Sequence, residues 1–275
     1  MVNFIELNEC DRKTLFQTLK EVLKTPWKQL YETLGISKAM FFNYLSGKYA
    51  IPETIFIKIE KKSGLKIKNF KRIFKPSYSP KKIKNPKMTK FLAEALGILN
   101  GDGHMNQINY QICVVGNLLE TEYFAHMQKL FEKVFFIPFN LRKEKNKFRL
   151  LTYSKDLVFL LHDRYGVPIG KKLGSLRIPK KFFNKKILLS SYLRGLFDTD
   201  GTIYKRRKKD LVVEITSYDG RFLKEIKHAL NLFGLHPGIS GTNLYLYKRV
   251  EIDRFFNVIK PANSKHLKRY MQFGN

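Results

Sequence analysis

By the placing of its apolar and polar residues, the chain divides into a helical beginning, a basic stretch without long period, and a region in which one order of elements occurs twice. Residues Trp27 to Leu34 (WKQLYETL) set apolar side chains three and four apart, as an amphipathic helix does. Gly35-Ile36 turns the chain, Ser37 is suited to cap the next helix, SKAMFFNYLSG, and Gly47 stops it. Pro52 stands at the start of a further helix, PETIFIKIEKKSGL. This pattern predicts a small all-α domain over residues 1–65. Its second helix would bury Phe41 and Tyr44 and turn Lys38, Ala39, Phe42 and Asn43 outward.

From Lys66 to Lys87 the run KIKNFKRIFKPSYSPKKIKNPK carries nine basic residues and no acid. Pro76, Pro80 and Pro86 are spaced so that a long helix cannot persist, and residues 66–87 read as an extended basic linker. Beyond it, ALGILNGDG (Ala95 to Gly103) returns as LRGLFDTDG (Leu193 to Gly201), matching Gly97 to Gly195, Asp102 to Asp200 and Gly103 to Gly201. Each copy is followed by strand-like alternation (QICVVGN; VVEITSYDG) and an amphipathic helix (LLETEYFAHMQKLFEKVF; RFLKEIKHALNLFG). Each then reaches a proline, further strand patterns (FRLLTY; NLYLY) and a last helix (KDLVFLLHDRYG; VEIDRFFNVIK). The expectation is an α+β region of two repeats, residues 88–185 and 186–275, each running αββαββα and related by a pseudo-two-fold axis.

Charge narrows the class. Against 52 Lys and Arg stand 23 Asp and Glu, a formal net charge of +29, in a chain of 275 residues that is 44% apolar and therefore folds. Such an excess calls for a polyanion, and nucleic acid comes first because each neutralised phosphate releases counterions. No run of 18 apolar residues occurs and the N-terminus lacks a signal-peptide core, so no membrane and a cytoplasmic location are expected. Cys10 and Cys113 stand in no metal-binding or disulfide spacing and read as two small apolar residues.

Two resemblances follow from these motifs. The segment Leu15 to Leu65, with its L-x-x-x-L-G-I-S lead into the second helix, resembles the Cro/repressor-like helix-turn-helix family, which implies a domain that places Lys38, Phe42 and Asn43 toward a DNA groove. An exposed Asn can bond adenine, and Lys guanine or phosphate. From about Phe91 to the C-terminus, the paired motifs and the order of elements after each resemble the LAGLIDADG, or dodecapeptide, homing endonucleases. Two copies at this spacing are a specific signal, where one would be weak. The resemblance implies a duplicated αββαββα LAGLIDADG endonuclease fold in which the two motif helices pack side by side and their C-terminal ends converge on DNA. It implies a monomer with an internal pseudo-dimer and no small-molecule cofactor.

The physics of the motif agrees with this. Gly97 and Gly195 lack a Cβ, so two helix backbones can approach closely, at a helix-propensity cost of roughly 1 kcal/mol each. Asp102 and Asp200 then lie near one another, and the field they create is what Mg²⁺, or another divalent cation such as Mn²⁺, would relieve. Gly103 and Gly201 turn the chain out of the helices and leave the carbonyls of Gly101 and Thr199 as further ligands. Asn100 stands where the second copy has Asp198, which marks Asp198 as a helix-end acid rather than an equal ligand. By resemblance, a basic residue lies near each active site, for which Lys172 and Lys265 are the candidates, and cleavage straddles the minor groove to leave 3′ overhangs.

Contacts to DNA are expected from the sheets and their hairpin loops. KEKNK supplies Lys143, Lys145 and Lys147, and KRRKKD supplies Lys205, Arg206 and Arg207. Polar positions such as Asn106, Gln107, Asn109, Gln111, Tyr204, Thr242 and Asn243 are candidates for base contacts. The chemistry predicted is metal-dependent hydrolysis of both strands of a specific duplex, as in intron homing. The alternative is a non-cleaving regulator or an RNA-binding maturase on the same fold. An intein is set aside because the ends, Met1 and MQFGN, lack the Cys, Ser and His-Asn of splicing, and no GxSxG, HExxH or P-loop sequence is present.

Overall fold

The computed structural model describes residues 2–75, 83–206 and 210–274. The chain forms two compact units, residues 1–79 and 80–275.

In the first unit, β1 (Val2–Glu6) leads to α1 (Glu9–Leu23), α2 (Trp27–Leu34), α3 (Lys38–Leu45), β2 (Ile51–Pro52), α4 (Glu53–Ser63) and β3 (Lys71–Lys75). The sequence punctuation acts where it stands. Gly35 takes φ 70° at the end of α2, and the Ser37 hydroxyl accepts from Met40 N–H at 3.3 Å to cap α3. Phe41 and Tyr44 are buried beside Phe16, Leu30 and Phe56, while Lys38, Ala39 and Phe42 face outward and Asn43 is half-buried.

Two expectations are corrected here. The unit is not all-α, because β1 pairs antiparallel with β2 on one side and β3 on the other, in the order β2-β1-β3. Nor is residues 66–87 a linker throughout, since residues 71–75 are β3, whose Arg72 bonds Glu53 at 3.0 Å. Strands of two to five residues are too short to display a period, and lysine-rich composition in KRIFK resembles a solvated connector until a partner strand satisfies its backbone. Residues 76–82, which include Pro76 and Pro80, lie outside the described residues.

The second unit contains the expected duplication. Repeat one is α5 (Lys90–Asn100), β4 (Gly103–Met105), β5 (Gln111–Gly116), α6 (Thr121–Phe135), β6 (Asn140–Lys143), β7 (Phe148–Tyr153) and α7 (Lys155–Tyr165). A short α8 (Lys180–Phe183) precedes repeat two: α9 (Lys186–Asp200), β8 (Gly201–Lys205), β9 (Leu211–Thr216), α10 (Gly220–Asn231), β10 (Gly238–Ser240), β11 (Asn243–Leu246) and α11 (Arg249–Ile259). A further helix, α12 (Ser264–Gly274), was not foreseen. The two four-stranded antiparallel sheets have matching orders, β4-β5-β7-β6 and β8-β9-β11-β10. In each, alternate residues such as Ile112 and Val114, or Val213 and Ile215, enter one continuous core with the inner faces of α6 and α10. Each fully buried Leu, Ile or Phe in that core contributes about 1.5–3 kcal/mol. Among the described residues no helix is long and apolar enough to cross a membrane.

Candidate active site

α5 and α9 form the centre of the second unit, with Leu92 to Asn100 buried along nearly the whole of α5. The glycines decide how close they come. A Cβ on Gly97 would lie 2.9 Å from the Leu196 nitrogen and well inside contact distance of the Tyr192 carbonyl oxygen. A Cβ on Gly195 would meet the Ile98 nitrogen at 2.9 Å and the Glu94 carbonyl in the same way. The contact is reciprocal, and no side chain fits at either place. Gly103 is excluded from being anything larger by the Leu99 backbone, 2.5 Å from its ideal Cβ, and Gly201 by the Phe197 ring. Neither needs a positive φ, so their role is close approach rather than a left-handed turn.

This crossing brings the two C-terminal ends together. An ideal Cβ on Gly101 would stand 3.3 Å from the Asp200 carboxyl carbon. Asp200 is the last residue of α9, while Asp102 lies two residues beyond the end of α5. As residues, Asp102 is exposed and Asp200 half-buried. Surrounding protein nevertheless strips enough water from both to raise the Asp102 pKa from its ordinary value and that of Asp200 up to about 7. Asp102 adds to the rise at Asp200 by like-charge repulsion, and the ammonium groups of Lys172 and Lys265 oppose it at both.

Lys172 comes from the segment after α7 and half-buries its stem. Its ammonium donates to the carbonyl of Asn100 at 3.1 Å and to that of Gly101, two acceptors that the end of α5 leaves without helical partners. The Gly101 carbonyl, expected as a metal ligand, also accepts from Lys172. Desolvation lowers the Lys172 pKa, against the pull of Asp200 and Asp102. Thr199 turns its hydroxyl back to donate to the carbonyls of Leu196 at 2.9 Å and Gly195 at 3.2 Å.

Lys265, after α11, is held differently. Its ammonium bonds Glu120 at 2.8 Å, and the Asn263 amide donates to the same carboxylate oxygen at 2.8 Å. Asp198 is buried and accepts from the N–H groups of Ala262 at 2.8 Å and Asn263 at 3.2 Å; burial raises it to about 7. It fixes the segment that carries Lys265. Its counterpart Asn100 donates to the Tyr192 hydroxyl at 2.7 Å and to the Arg177 carbonyl at 3.2 Å, on the segment that carries Lys172. Each copy thus spends that position on anchoring a basic loop. A cavity of about 360 Å³ is lined by Lys172 and Asp200 together with Thr216, Ser217 and Asp219.

Sequence reading missed a buried group at the helix crossing. Glu94 on α5 bonds His126 of α6 at 2.7 Å and Arg194 of α9 at 3.3 Å, and raises the His126 pKa chiefly through that hydrogen bond. An acid in the otherwise apolar FLAEALGIL was the available signal. Glu120 was also missed, since one acid in a helical pattern carries no sign of its partner 145 residues away.

The predicted contact residues scatter more. Lys143 ends β6, and Lys145 is exposed in the hairpin; Lys147 pairs with Glu144 at 3.6 Å. Lys205 ends β8 with its ammonium 5.3 Å from the Phe273 ring centre, and Arg206 lies 5.9 Å from that of Tyr247. Arg207 lies outside the described residues. Asn106 and Asn109 are not strand residues: their side chains accept from Ile108 N–H at 2.7 Å and Gln111 N–H at 3.1 Å and shape the turn between β4 and β5. Among the described residues no three His, Cys, Asp or Glu side chains gather as a metal cluster. Two carboxylates whose charges oppose one another are nonetheless hard-oxygen ligands suited to a divalent cation that keeps several waters.

Residues 188–260 match the LAGLIDADG-like domain family. The chain is 24% identical over 284 residues to elongation factor 2 of Methanopyrus kandleri, an alignment covering 98% of this chain and 21% of that protein. It is 31% identical over 157 residues to glutamine–fructose-6-phosphate aminotransferase of Methanocaldococcus jannaschii, covering 56% of this chain and 14% of the other. The chain spans about a fifth or less of the length of these relatives. The homing endonuclease I-WcaI bound to its DNA recognition sequence is similar in structure, with 17% identity, a TM-score of 0.49, and coverage of 66% of this chain and 87% of that one. The second unit has the duplicated LAGLIDADG fold.

Proposed function

We propose that this protein is a site-specific endonuclease that hydrolyses one phosphodiester in each strand of a DNA duplex, with divalent metal held between Asp102 and Asp200. The observation that carries the reading is the delivery of these two acids, one from each repeat, to one place by the Gly97–Gly195 crossing. Bound Mg²⁺, or Mn²⁺ in its stead, would activate the attacking water and neutralise charge on the leaving 3′ oxygen.

The chain's own groups do the rest. Asp102 and Asp200 would hold the metal as carboxylates, and the elevated pKa of Asp200 means that a proton would have to leave first. Lys172, tethered to the carbonyls of Asn100 and Gly101, places a cation beside both acids, where it orients solvent and faces a scissile phosphate. Lys265, held by Glu120, offers the corresponding cation from the other repeat. Lys143, Lys145, Lys205 and Arg206 supply positive charge along the sheets for phosphate contact, and a single chain suffices because both repeats lie within it. In the first unit, α3 turns Lys38 and Phe42 outward with Asn43 beside them, and this helix-turn-helix lengthens the recognised sequence. Stretches similar to this chain occur within two proteins whose names share no activity, as a module carried independently of its surroundings would.

That same helix-turn-helix also suits a non-cleaving DNA-binding regulator, and one experiment separates the two. A randomised duplex library with Mg²⁺ is incubated with the wild type, Asp102→Asn and Asp200→Asn. Specific cleavage by the wild type alone supports the nuclease. Specific binding without cleavage by the wild type establishes the regulator, and cleavage that survives in both variants removes these acids from the mechanism.

A further inference from the structure

The two sheets are pseudo-equivalent in topology but differ in the residue at one central position. On β9, Leu211, Val213 and Ile215 point into the core, so Glu214 and Thr216 belong to the other face. Glu214 stands across from Thr202 on β8 and from Tyr245 on β11, in the middle of the four strands. Among the described residues its hydrogen-bonding partner is the Tyr204 hydroxyl rather than a cation. Around it the face is ordered: the Asn243 amide donates to the Tyr245 hydroxyl at 2.9 Å, and Tyr245 stacks on Tyr247 at 5.6 Å. The matching position of repeat one, opposite His104 on β4 as Glu214 is opposite Thr202 on β8, holds the buried thiol of Cys113; of the nearby outward residues, Arg149 pairs with Glu144 at 3.1 Å and Arg142 stands across from Arg149.

An acid on a DNA-facing surface costs affinity by repelling phosphates, in a chain whose charge of +29 otherwise favours binding. It can recover that cost from a base edge that donates. In the major groove the donors are the exocyclic amines of cytosine and adenine; adenine sets the N7 acceptor beside its amine, where it repels a carboxylate, so the carboxylate accepts best from cytosine N4, whereas guanine presents only acceptors there and thymine an acceptor and a methyl group. We infer that Glu214 is a specificity-determining residue that reads the amino group of a cytosine in the half of the target facing the second sheet. The first sheet, with Cys113 at the equivalent position, cannot read its half in the same way, so the target is not a palindrome. This inference rests on the proposed binding of a specific duplex by these sheets, but not on cleavage.

The test is selection of bound duplexes from a randomised library by the full chain, without divalent metal so that nothing is cut. Wild type is expected to select a C·G pair at one position that Glu214→Gln changes to A·T, because an amide pairs with adenine N6 and N7. Glu214→Gln selecting the same base at every position overturns the inference, as does a change at a position where wild type does not select C·G. Failure of the wild type to enrich any sequence overturns the parent reading instead. A second measurement needs no variant: in the selected site, 2-pyrimidinone, which lacks the amine, replaces that cytosine. Wild-type affinity is expected to fall about tenfold. Unchanged affinity overturns the inference.

Discussion

Gly97→Ala tests the crossing on which the site depends. The added methyl would lie 2.9 Å from the Leu196 nitrogen and 3.0 Å from the Tyr192 carbonyl carbon, with the carbonyl oxygen closer still. These are backbone atoms of a buried helix, so no rotamer change relieves them. Ordinary carbon–heteroatom separation requires α5 and α9 to part by on the order of 1 Å. Overpacking of this kind costs about 1–3 kcal/mol, and alanine returns roughly 1 kcal/mol through helix propensity. Because the neighbours cannot yield, the upper part of the first range applies, and a net loss of about 1–2 kcal/mol is expected. The chain offers a clean assay, since its one tryptophan, Trp27, lies in the first unit. Urea unfolding followed by far-ultraviolet circular dichroism should show the second unit melting at lower denaturant, while the Trp27 fluorescence transition stays in place. Gly195→Ala should match it, because its Cβ meets the Glu94 carbonyl and Ile98 nitrogen with the same spacing. Gly220→Ala, where no atom lies within 4 Å of the added methyl, should be neutral or mildly stabilising. A Gly97→Ala protein as stable as wild type, cutting DNA at the wild-type rate, would refute the reasoning.

Further expectations concern charge. Asp200 keeps its proton up to about pH 7 in the folded state, so its contribution to stability declines as pH rises from the ordinary carboxylate range through 7, and Mg²⁺ competes with that proton. The rise in Tm on adding Mg²⁺ should therefore be larger at pH 8 than at pH 6 and vanish in Asp200→Asn; equal rises at both pH values contradict the assignment. Lys172→Met removes a cation that lowers the pKa of both acids, so the alkaline shift of the pH–cleavage profile is the readout, and an unshifted profile refutes its position beside them. Glu94→Ala removes the buried acceptor of the half-exposed His126 ring and of one Arg194 nitrogen, while Arg194 keeps the Ile259 carbonyl, and should cost about 1–2 kcal/mol in urea unfolding, with less than 0.5 kcal/mol, about the size of an ordinary surface substitution, indicating that water replaces the carboxylate.

Much of this molecule was legible in the order of its residues. The duplicated motif, the αββαββα order after each copy, the caps at Ser37 and Gly35, and the outward set on α3 follow from periodicity and turn chemistry, which act over a few residues and so are written locally. The pairing of Gly97 with Gly195 was legible for the same reason: small residues at matching places in two apolar helices leave room for each other. What failed was what depends on a distant partner. The strand of residues 71–75 is a strand because β1 lies beside it, and in isolation the same lysines describe a solvated connector. The Lys172 ammonium that shares the Gly101 carbonyl comes from 71 residues on, and nothing beside either residue announces the other.

The sequence alone determined that two acids stand at the ends of two helices able to pack closely, in a chain of large positive charge. Only the tertiary structure decided that Asp198 and Asn100 anchor the loops carrying Lys265 and Lys172, that Glu94 joins three helices, and that Glu214 rather than a basic residue occupies the middle of the second sheet. Hydrogen bonds and desolvation depend on atoms within a few ångströms in space, and nothing in a residue's neighbours along the chain states which atoms those are.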